Sequence, residues 1–292
     1  MTLQAHTRDT VCVFSEGASL ADIGCTIDSI ARNSVLCARI VLIVSEVDDA
    51  KVQGLAIADG LRPVSLDFVV ENDPVRAMGT CLPVDGRGVF VVNPGVSVPF
   101  AWDARLARVA DDCPGVGTVS PVCANAPGFA LFGPALAGHV TVEDMPRIDR
   151  LLFSFSNKSY FGVPAFFEGC FHITRNALRA LLRQGDGSPD RSAWARILAE
   201  QGYMHVITDS LYVHDALAVA ESQQHDGRVG INYFPEPIRA AVNETFLSGM
   251  DFRNLSGLDD RPVQLHVLHN QGGGIEQWIR DYCSADGERI NL

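Results

Sequence analysis

The sequence predicts an α/β protein: a mostly parallel sheet with helices on both faces, plus a β-α unit at the carboxyl end. Three observations carry this prediction. Strand-like and helix-like segments alternate from Thr10 onward, the pattern of parallel strands joined by crossovers. Strands such as A-R-I-V-L-I-V-S (38–45) are apolar on both faces, as strands covered from both sides are. At 292 residues, 47% apolar and 20% charged, the chain can bury a sizeable core in one large domain or two ordinary ones.

The elements follow in order. T-V-C-V-F (10–14) reads as a strand, and residues 18–33 place Leu20, Ile23, Ile27 and Ile30 on one helical face. Gly17 supplies the turn before that helix and Ser19 its N-cap. After the strand at 38–45, a helix is expected around 50–60, a strand at 65–70 and another at 89–92. Asn93-Pro94-Gly95 breaks that strand, and Pro99 restarts the chain towards a helix beginning near Asp103. Residues 113–138 are rich in Gly, Pro and small side chains and read as a loop crossing the active face. A short helix at 146–153, a strand at 164–174 and helices at 175–182 and 191–203 follow, the last ended by Gly202. A late strand at 205–215 and a helix near 237–247 complete the expected main domain, residues 1–250. Trp102 and Trp194 read as core aromatics.

Residues 251–262, D-F-R-N-L-S-G-L-D-D-R-P, read as a polar linker. Residues 263–292 then begin something new: a strand, a glycine turn and a helix. One β-α unit cannot bury both faces of its strand, so either it docks on the main domain or the natural chain continues past Leu292.

Charge and cysteine usage narrow the classes. A net charge of −12 argues against a general nucleic-acid binder, which needs a basic stripe, although local basic spots remain open. Eight cysteines at 12, 25, 37, 81, 113, 123, 170 and 283 form no C-x-x-C. They are expected to be reduced and packed as small hydrophobes. The amino terminus has no apolar signal region, and no apolar run approaches the roughly 18 residues of a spanning helix. A soluble, cytoplasmic protein is therefore expected.

Several segments together resemble the family 2 glycosyltransferases, inverting GT-A-fold enzymes that use nucleotide sugars in bacterial surface-polysaccharide assembly. The opening β-α-β is similar to their nucleotide-binding half. Gly86 followed by V-F-V-V-N-P-G-V-S-V-P-F-A-W-D-A-R-L (89–106) is similar to the stretch in which a strand ends in Asn before an acid-x-acid metal site. P-G-V-G-T-V-S-P-V-C-A-N-A (114–126), G-C-F-H-I-T-R-N-A-L (169–178) and E-Q-G-Y-M-H-V-I-T-D-S-L-Y-V-H (200–214) resemble the later family segments in the correct order. The match covers roughly residues 8–220. At the carboxyl end, L-H-V-L-H-N-Q-G-G-G-I-E-Q-W-I-R-D (265–281) resembles the start of a family 4, GT-B glycosyltransferase. That resemblance implies a further glycosyltransferase domain beyond this chain.

The resemblance implies a nucleotide-sugar donor, a glycan acceptor and a divalent cation, Mn or Mg, but the sequence departs from it at the working positions. Gly95 and Ser97 stand where the cation-holding acids belong, and neither supplies a carboxylate oxygen. No metal site is therefore assigned. Ala193 stands at the catalytic base, with Asp186 and Asp190 close by. Asp190 is the candidate base, and Glu168, an acid in an apolar segment where acceptor should approach, is a second catalytic candidate. Glu168 is either cleft-facing or ion-paired. Val44 and Ser45 replace nucleotide-contacting acids, with Glu46, Asp48 and Asp49 nearby. The expected donor contacts are Ser15, Glu46, Asn93, Gly95, Ser97 and His214. His214, beside Asp215, either touches phosphate or metal or is a strand-end histidine satisfied by backbone.

Two readings stay open at this point. A divergent enzyme would bind its donor without metal, through helix amino termini and side chains such as Arg76, Arg87 or His214. A domain that has lost catalysis would serve as a binding module for glycan, nucleotide or a partner protein. A third, a nucleotidyltransferase-like protein, lacks the expected Gly-rich phosphate loop, since F-S-E-G-A-S (14–19) follows the first strand.

Overall fold

The computed structural model describes residues 9–44, 64–124, 126, 128–184, 191–216, 232–248, 263–264 and 290–291. The expected helix around 50–60, the linker 251–262 and the glycine turn near 272 lie outside the described residues. The chain divides into two units, Met1–Phe246 and Leu247–Leu292. In the second, the described residues form two short strands, Val263–Gln264 and Ile290–Asn291, paired in parallel.

The first unit is built on an eight-stranded sheet. Its strands are β1 (Asp9–Phe14), β2 (Cys37–Val44), β3 (Ser65–Val70), β4 (Gly88–Val92), β6 (Val116–Val122), β7 (Tyr160–Val163), β8 (Cys170–Thr174) and β9 (Met204–Tyr212). They lie in the order β3-β2-β1-β4-β8-β6-β9-β7. β1, β2, β3 and β4 are mutually parallel, as are β6 and β9, while β8 runs antiparallel to both β4 and β6 and β7 antiparallel to β9. The mostly parallel sheet covered on both faces is the architecture the alternation predicts.

The two faces follow from side-chain alternation along the strands. On one, Cys12, Val41, Val89, Val91, Phe171 and Ile173 meet α2 (Pro74–Cys81), α6 (Arg175–Gln184) and α7 (Arg191–Glu200) through Met78, Leu178, Trp194 and Leu198. On the other, Phe90 meets Trp102 of α3 (Trp102–Asp112) edge-on at 5.2 Å. Trp102 and Trp194 are fully buried, as expected of core aromatics. α1 (Leu20–Asn33) buries Ile23, Ile27 and Ile30, and Ser19 caps it by accepting from the Asp22 amide. Leu20, expected on the apolar face, is instead exposed at the first turn.

Three sequence expectations are corrected. Residues 113–138 are not all loop, because Val116–Val122 is a fully buried strand between β8 and β9. Its small residues have a packing cause: a Cβ on Gly117 would meet Tyr203 Cβ at 2.8 Å. Pro121, which has no amide to donate, sits where the β6–β9 register shifts between Ser120 and Val122. The loop that follows carries a short helix, α4 (Pro134–Ala137), and a 3-10 turn, Val142–Asp144, precedes α5 (Met145–Phe155). The strand expected over 164–174 is confined to Cys170–Thr174, and Tyr160–Val163 forms a short edge strand the pattern does not announce. The late strand breaks after Tyr212, so that His214–Asp215 (β10) leaves the main sheet. The helix near 237–247 is α8, Glu236–Ser248.

Buried polar groups knit the layers together. Asp103 is fully buried, and its carboxylate accepts from the amides of Val35, Leu36 and Cys37 at 2.7–3.1 Å, holding the α1–β2 turn to the start of α3. Arg105 and Asp149 form a bidentate pair at 2.8 Å joining α3 to α5, and the Tyr212 amide of β9 donates to the same carboxylate. Thr118 donates to Nδ1 of His205, whose Nε2–H donates to the Ala195 carbonyl. All seven described cysteines are free thiols, and of these only Cys25 is exposed.

Two outcomes are expected. Asp103→Ala strands three backbone donors and lowers stability by about 3 kcal/mol or more, measured as the urea unfolding free energy. His172 on β8 is fully buried with neither ring nitrogen bonded among the described residues, and burial, reinforced by Arg87, pushes its pKa down to about 3. Unfolded, it takes a proton near 6.5, so between those values the unfolded chain binds more protons. Its contribution is intact above about pH 6.5 and is lost at about 1.4 kcal/mol per pH unit towards pH 3. Urea unfolding of wild type and His172→Leu across pH 4–6.5 checks this: the variant's slope is shallower by up to one proton.

Candidate functional site

In an open α/β sheet, ligands bind beyond the carboxyl ends of the parallel strands. Here that edge is lined by Ser15 after β1, Asn93 after β4, and the turn of Glu168 and Gly169 before β8. The last arrives there because β8 runs antiparallel to β4. The Asn93 amide donates to the Gly169 carbonyl at 2.8 Å, extending the β4–β8 ladder by one bond into the turn.

The corner at residues 93–97 is fixed by short-range geometry. Val96 N donates to the Asn93 carbonyl, and Gly95 has φ +86°. That left-handed conformation costs an L residue about 1–2 kcal/mol, so the backbone here suits the glycine it has. The chain then forms a two-residue strand, β5 (Val96–Ser97), which pairs antiparallel with β10 in the register Ser97 to His214 and Val96 to Asp215. α1 holds this strap from below. Thr26 Oγ1 donates to the Val96 carbonyl, Asn33 Nδ2 donates to the Val98 carbonyl, and the Val98 amide donates to Ser29 Oγ.

Asn93, Gly95, Ser97 and His214 are therefore brought together, with Glu168 on the adjoining turn. Ser15 lies at the same edge. Its amide donates to the Ile43 carbonyl, while its hydroxyl is buried without a partner among the described residues. Glu46 and Asp190 lie outside the described residues, as do Ser45, Asp48, Asp49 and Asp186. Glu168 does not sit in an apolar strand: it is exposed in the turn, and its carbonyl accepts from Arg191. His214 is buried, with its backbone in the strap and Nδ1 unpartnered among the described residues. Burial lowers its pKa, and the carboxylates of Glu143 and Asp144 oppose that shift.

Arg76 pairs with Asp73 on the first turn of α2. The phosphate-facing role considered for Arg87 does not fit its position. Arg87 pairs with Asp111 at the opposite, amino-terminal edge of the sheet, beside a cavity of about 370 Å³ lined by Thr174, Asn176 and Tyr203. Arg191, at the first turn of α7, reaches the corner instead. Its Nη1 donates to Asn93 Oδ1 at 3.0 Å and to the Glu168 carbonyl at 2.7 Å. Its guanidinium lies 5.1 Å from the Phe14 ring centroid and 5.9 Å from that of Trp194. No local sequence pattern marks Arg191 as a site residue.

A divalent cation does not fit the described donor set. Gly95 and Ser97 offer no carboxylate, and among the described residues no group of three His, Cys, Asp or Glu side chains could hold a metal ion. Asp215 pairs with Val96 in the strap, and its Oδ2 lies 2.8 Å from where a Cβ on Gly169 would stand.

No family model matches the chain, and no curated protein matches it. Among solved structures, the chain is similar to GalNAc-T7 with UDP, GalNAc and Mn2+, at 12% identity over 73% of this chain and TM-score 0.48. That match spans only 44% of the length of GalNAc-T7. It is also similar to a mannosyltransferase from Pyrobaculum calidifontis in complex with GDP-Man and Mn2+, at 18% identity over 82% of this chain and 69% of that one, TM-score 0.44. A third likeness is to the inositol-1-phosphate CTP transferase from T. maritima, at 11% identity over 83% of this chain and 97% of that one, TM-score 0.43. These are likenesses of chain path, and the functional reading rests on the residues of the edge. No described helix is long and apolar enough to cross a membrane.

The tightness of the corner is testable. A Cβ on Gly169 would meet Phe167 Cζ at 2.4 Å as well as Asp215 Oδ2, whereas a Cβ on Gly24 in α1 meets nothing within 4 Å. Gly169→Ala is expected to cost about 1–3 kcal/mol through overpacking, and Gly24→Ala to add about 0.5–1 kcal/mol through helix propensity. Chemical unfolding of the two variants beside wild type measures both.

Proposed function

We propose that residues 1–250 form a glycosyltransferase-like domain that takes a nucleotide sugar at the carboxyl edge of the sheet. In this reading the sugar passes to a glycan acceptor during surface-polysaccharide assembly. The observation that carries it is the convergence at one strand edge of the 93–97 corner, the His214–Asp215 strap and the Glu168 turn, joined by Arg191. The 93–97 corner, Gly169 and His214 belong to segments in which the sequence resembles the family 2 enzymes.

The chemistry is a direct displacement. The acceptor hydroxyl oxygen attacks the anomeric carbon as the bond from that carbon to the diphosphate oxygen breaks, and the hydroxyl proton passes to a carboxylate base. Glu168 is the described candidate for that base, exposed beside the corner and free to meet an acceptor. Asp190 is the other candidate. The remaining residues bind and orient: the β5–β10 strap fixes the floor, and Asn93 sets the position of Arg191.

A second reading, a non-catalytic module that binds nucleotide or glycan, is favoured by Gly95. Its left-handed backbone disfavours an acid at that position. Turnover separates the two.

Calorimetry with a panel of nucleoside diphosphates, with and without manganese, tests the reading. One nucleotide is expected to bind saturably, and absence of binding by all of them overturns the assignment. With the matching nucleotide sugar, Glu168→Gln is expected to retain donor binding and lower the rate of nucleotide release by about 10²- to 10⁴-fold if Glu168 is the base. Binding without turnover in wild type selects the non-catalytic module.

A further inference from the structure

We infer that Arg191 occupies the role a divalent cation would otherwise fill: its guanidinium is the diphosphate-binding group of this cleft, and a pyrophosphate moiety binds there without metal. The inference rests on the nucleotide-sugar reading for the identity of the ligand, but its geometry is independent of the sugar.

Among the described residues, Arg191 is tethered by neutral acceptors alone. The Asn93 side-chain carbonyl and the Glu168 backbone carbonyl both take hydrogen bonds from Nη1. A guanidinium carries five N–H donors, so Nε and Nη2 remain without an acceptor among the described residues. No carboxylate among the described residues lies within ion-pair distance of it, whereas Arg39, Arg87 and Arg105 are each paired with an aspartate. A half-buried cation that lies against the Phe14 and Trp194 rings has given up part of its hydration and is costly to leave unmatched. That cost is recovered when an anion arrives.

The electrostatic surroundings agree. Burial pushes the Arg191 pKa down, and the more distant carboxylates of Glu168 and Glu16 oppose that shift. An arginine nonetheless keeps its charge at neutral pH.

Position and shape point to a phosphate. The guanidinium stands over the end of β1 through its contact with Phe14, next in sequence to the Ser15 hydroxyl, unpartnered among the described residues. It is bonded to the strand-ending Asn93 of the corner where the sequence lacks cation-holding acids. The planar fork of arginine matches two oxygens of a phosphate. Because Asn93 and the Glu168 carbonyl hold Nη1, the fork is oriented before the ligand binds, which lowers the ordering cost of association.

The test uses the full chain and inorganic pyrophosphate, with UDP and GDP in parallel, in EDTA and in manganese. Wild type is expected to bind pyrophosphate in EDTA, with manganese tightening binding by no more than about threefold. Losing charge-assisted hydrogen bonds is expected to weaken binding by about 10- to 100-fold in Arg191→Met. Arg191→Lys, which keeps the charge but not the fork, is expected to weaken it by about 10-fold. Circular dichroism checks the fold, and if Arg191→Met does not fold, Arg191→Lys decides. Loss of wild-type pyrophosphate binding in EDTA, or unchanged affinity in the folded variants, overturns the inference. Nucleotide binding that requires manganese and ignores Arg191→Lys defeats the inference while sparing the nucleotide-sugar reading. Pyrophosphate binding that depends on Arg191, with no added affinity from any nucleoside, does the reverse.

Discussion

The site depends on one reversal of direction. β8 is antiparallel to β4 and β6 and sits between them. Its incoming turn therefore reaches the edge where the parallel strands end. The bond from Asn93 N to the Gly169 carbonyl closes the ladder at that point. Had β8 run parallel, Glu168 and Gly169 would lie at the opposite edge, and Arg191 could not bridge Asn93 to the Glu168 carbonyl. The arrangement also explains the glycine, since the Phe167 ring and the Asp215 carboxylate both crowd the space a Cβ on residue 169 would occupy.

Around that reversal, polar anchors do what an apolar core cannot: they specify register. Hydrophobic burial is non-directional and would tolerate some sliding of α1 or α3 over the sheet. Asp103 ties three consecutive amides of the α1–β2 turn. Thr26, Ser29 and Asn33 fasten α1 to the strap at Val96 and Val98. The Arg105–Asp149 pair links α3, α5 and β9 in a largely water-free setting. Such pairs are weak contributors to net stability but costly to break singly. Their effect here is to hold the strap and the β4 corner in a fixed relation.

Much of this fold is legible in the sequence where apolar content is dense. β1, β2 and β4 are runs of Val, Ile, Leu, Cys and Phe, and Ile23, Ile27 and Ile30 mark the buried face of α1. β6 is illegible because its strand is V-G-T-V-S-P-V: glycine is demanded by Tyr203, and proline is tolerated at a register shift. β7 is only four residues long, at the sheet edge with Tyr160 exposed. Among site residues, the convergence of Asn93, Gly95, Ser97 and His214 follows from segment order. Arg191 is 98 positions from Asn93, and Asp103 is 66 from Cys37. No local pattern signals either contact.

The corner also shows why a missing acid need not mean a missing anion site. A cation held by two carboxylates and a guanidinium held by two carbonyls both present positive charge to a diphosphate. They differ in what the protein must supply. The first needs oxygen ligands with an acid in the tight turn, where φ of +86° at Gly95 favours glycine. The second needs only an arginine whose neutral acceptors cancel none of its charge, and Asn93 Oδ1 and the Glu168 carbonyl are such acceptors. A carboxylate in place of either would pair with Arg191 and silence it toward phosphate. The neutrality of its tethers is thus what keeps Arg191 available to an incoming anion.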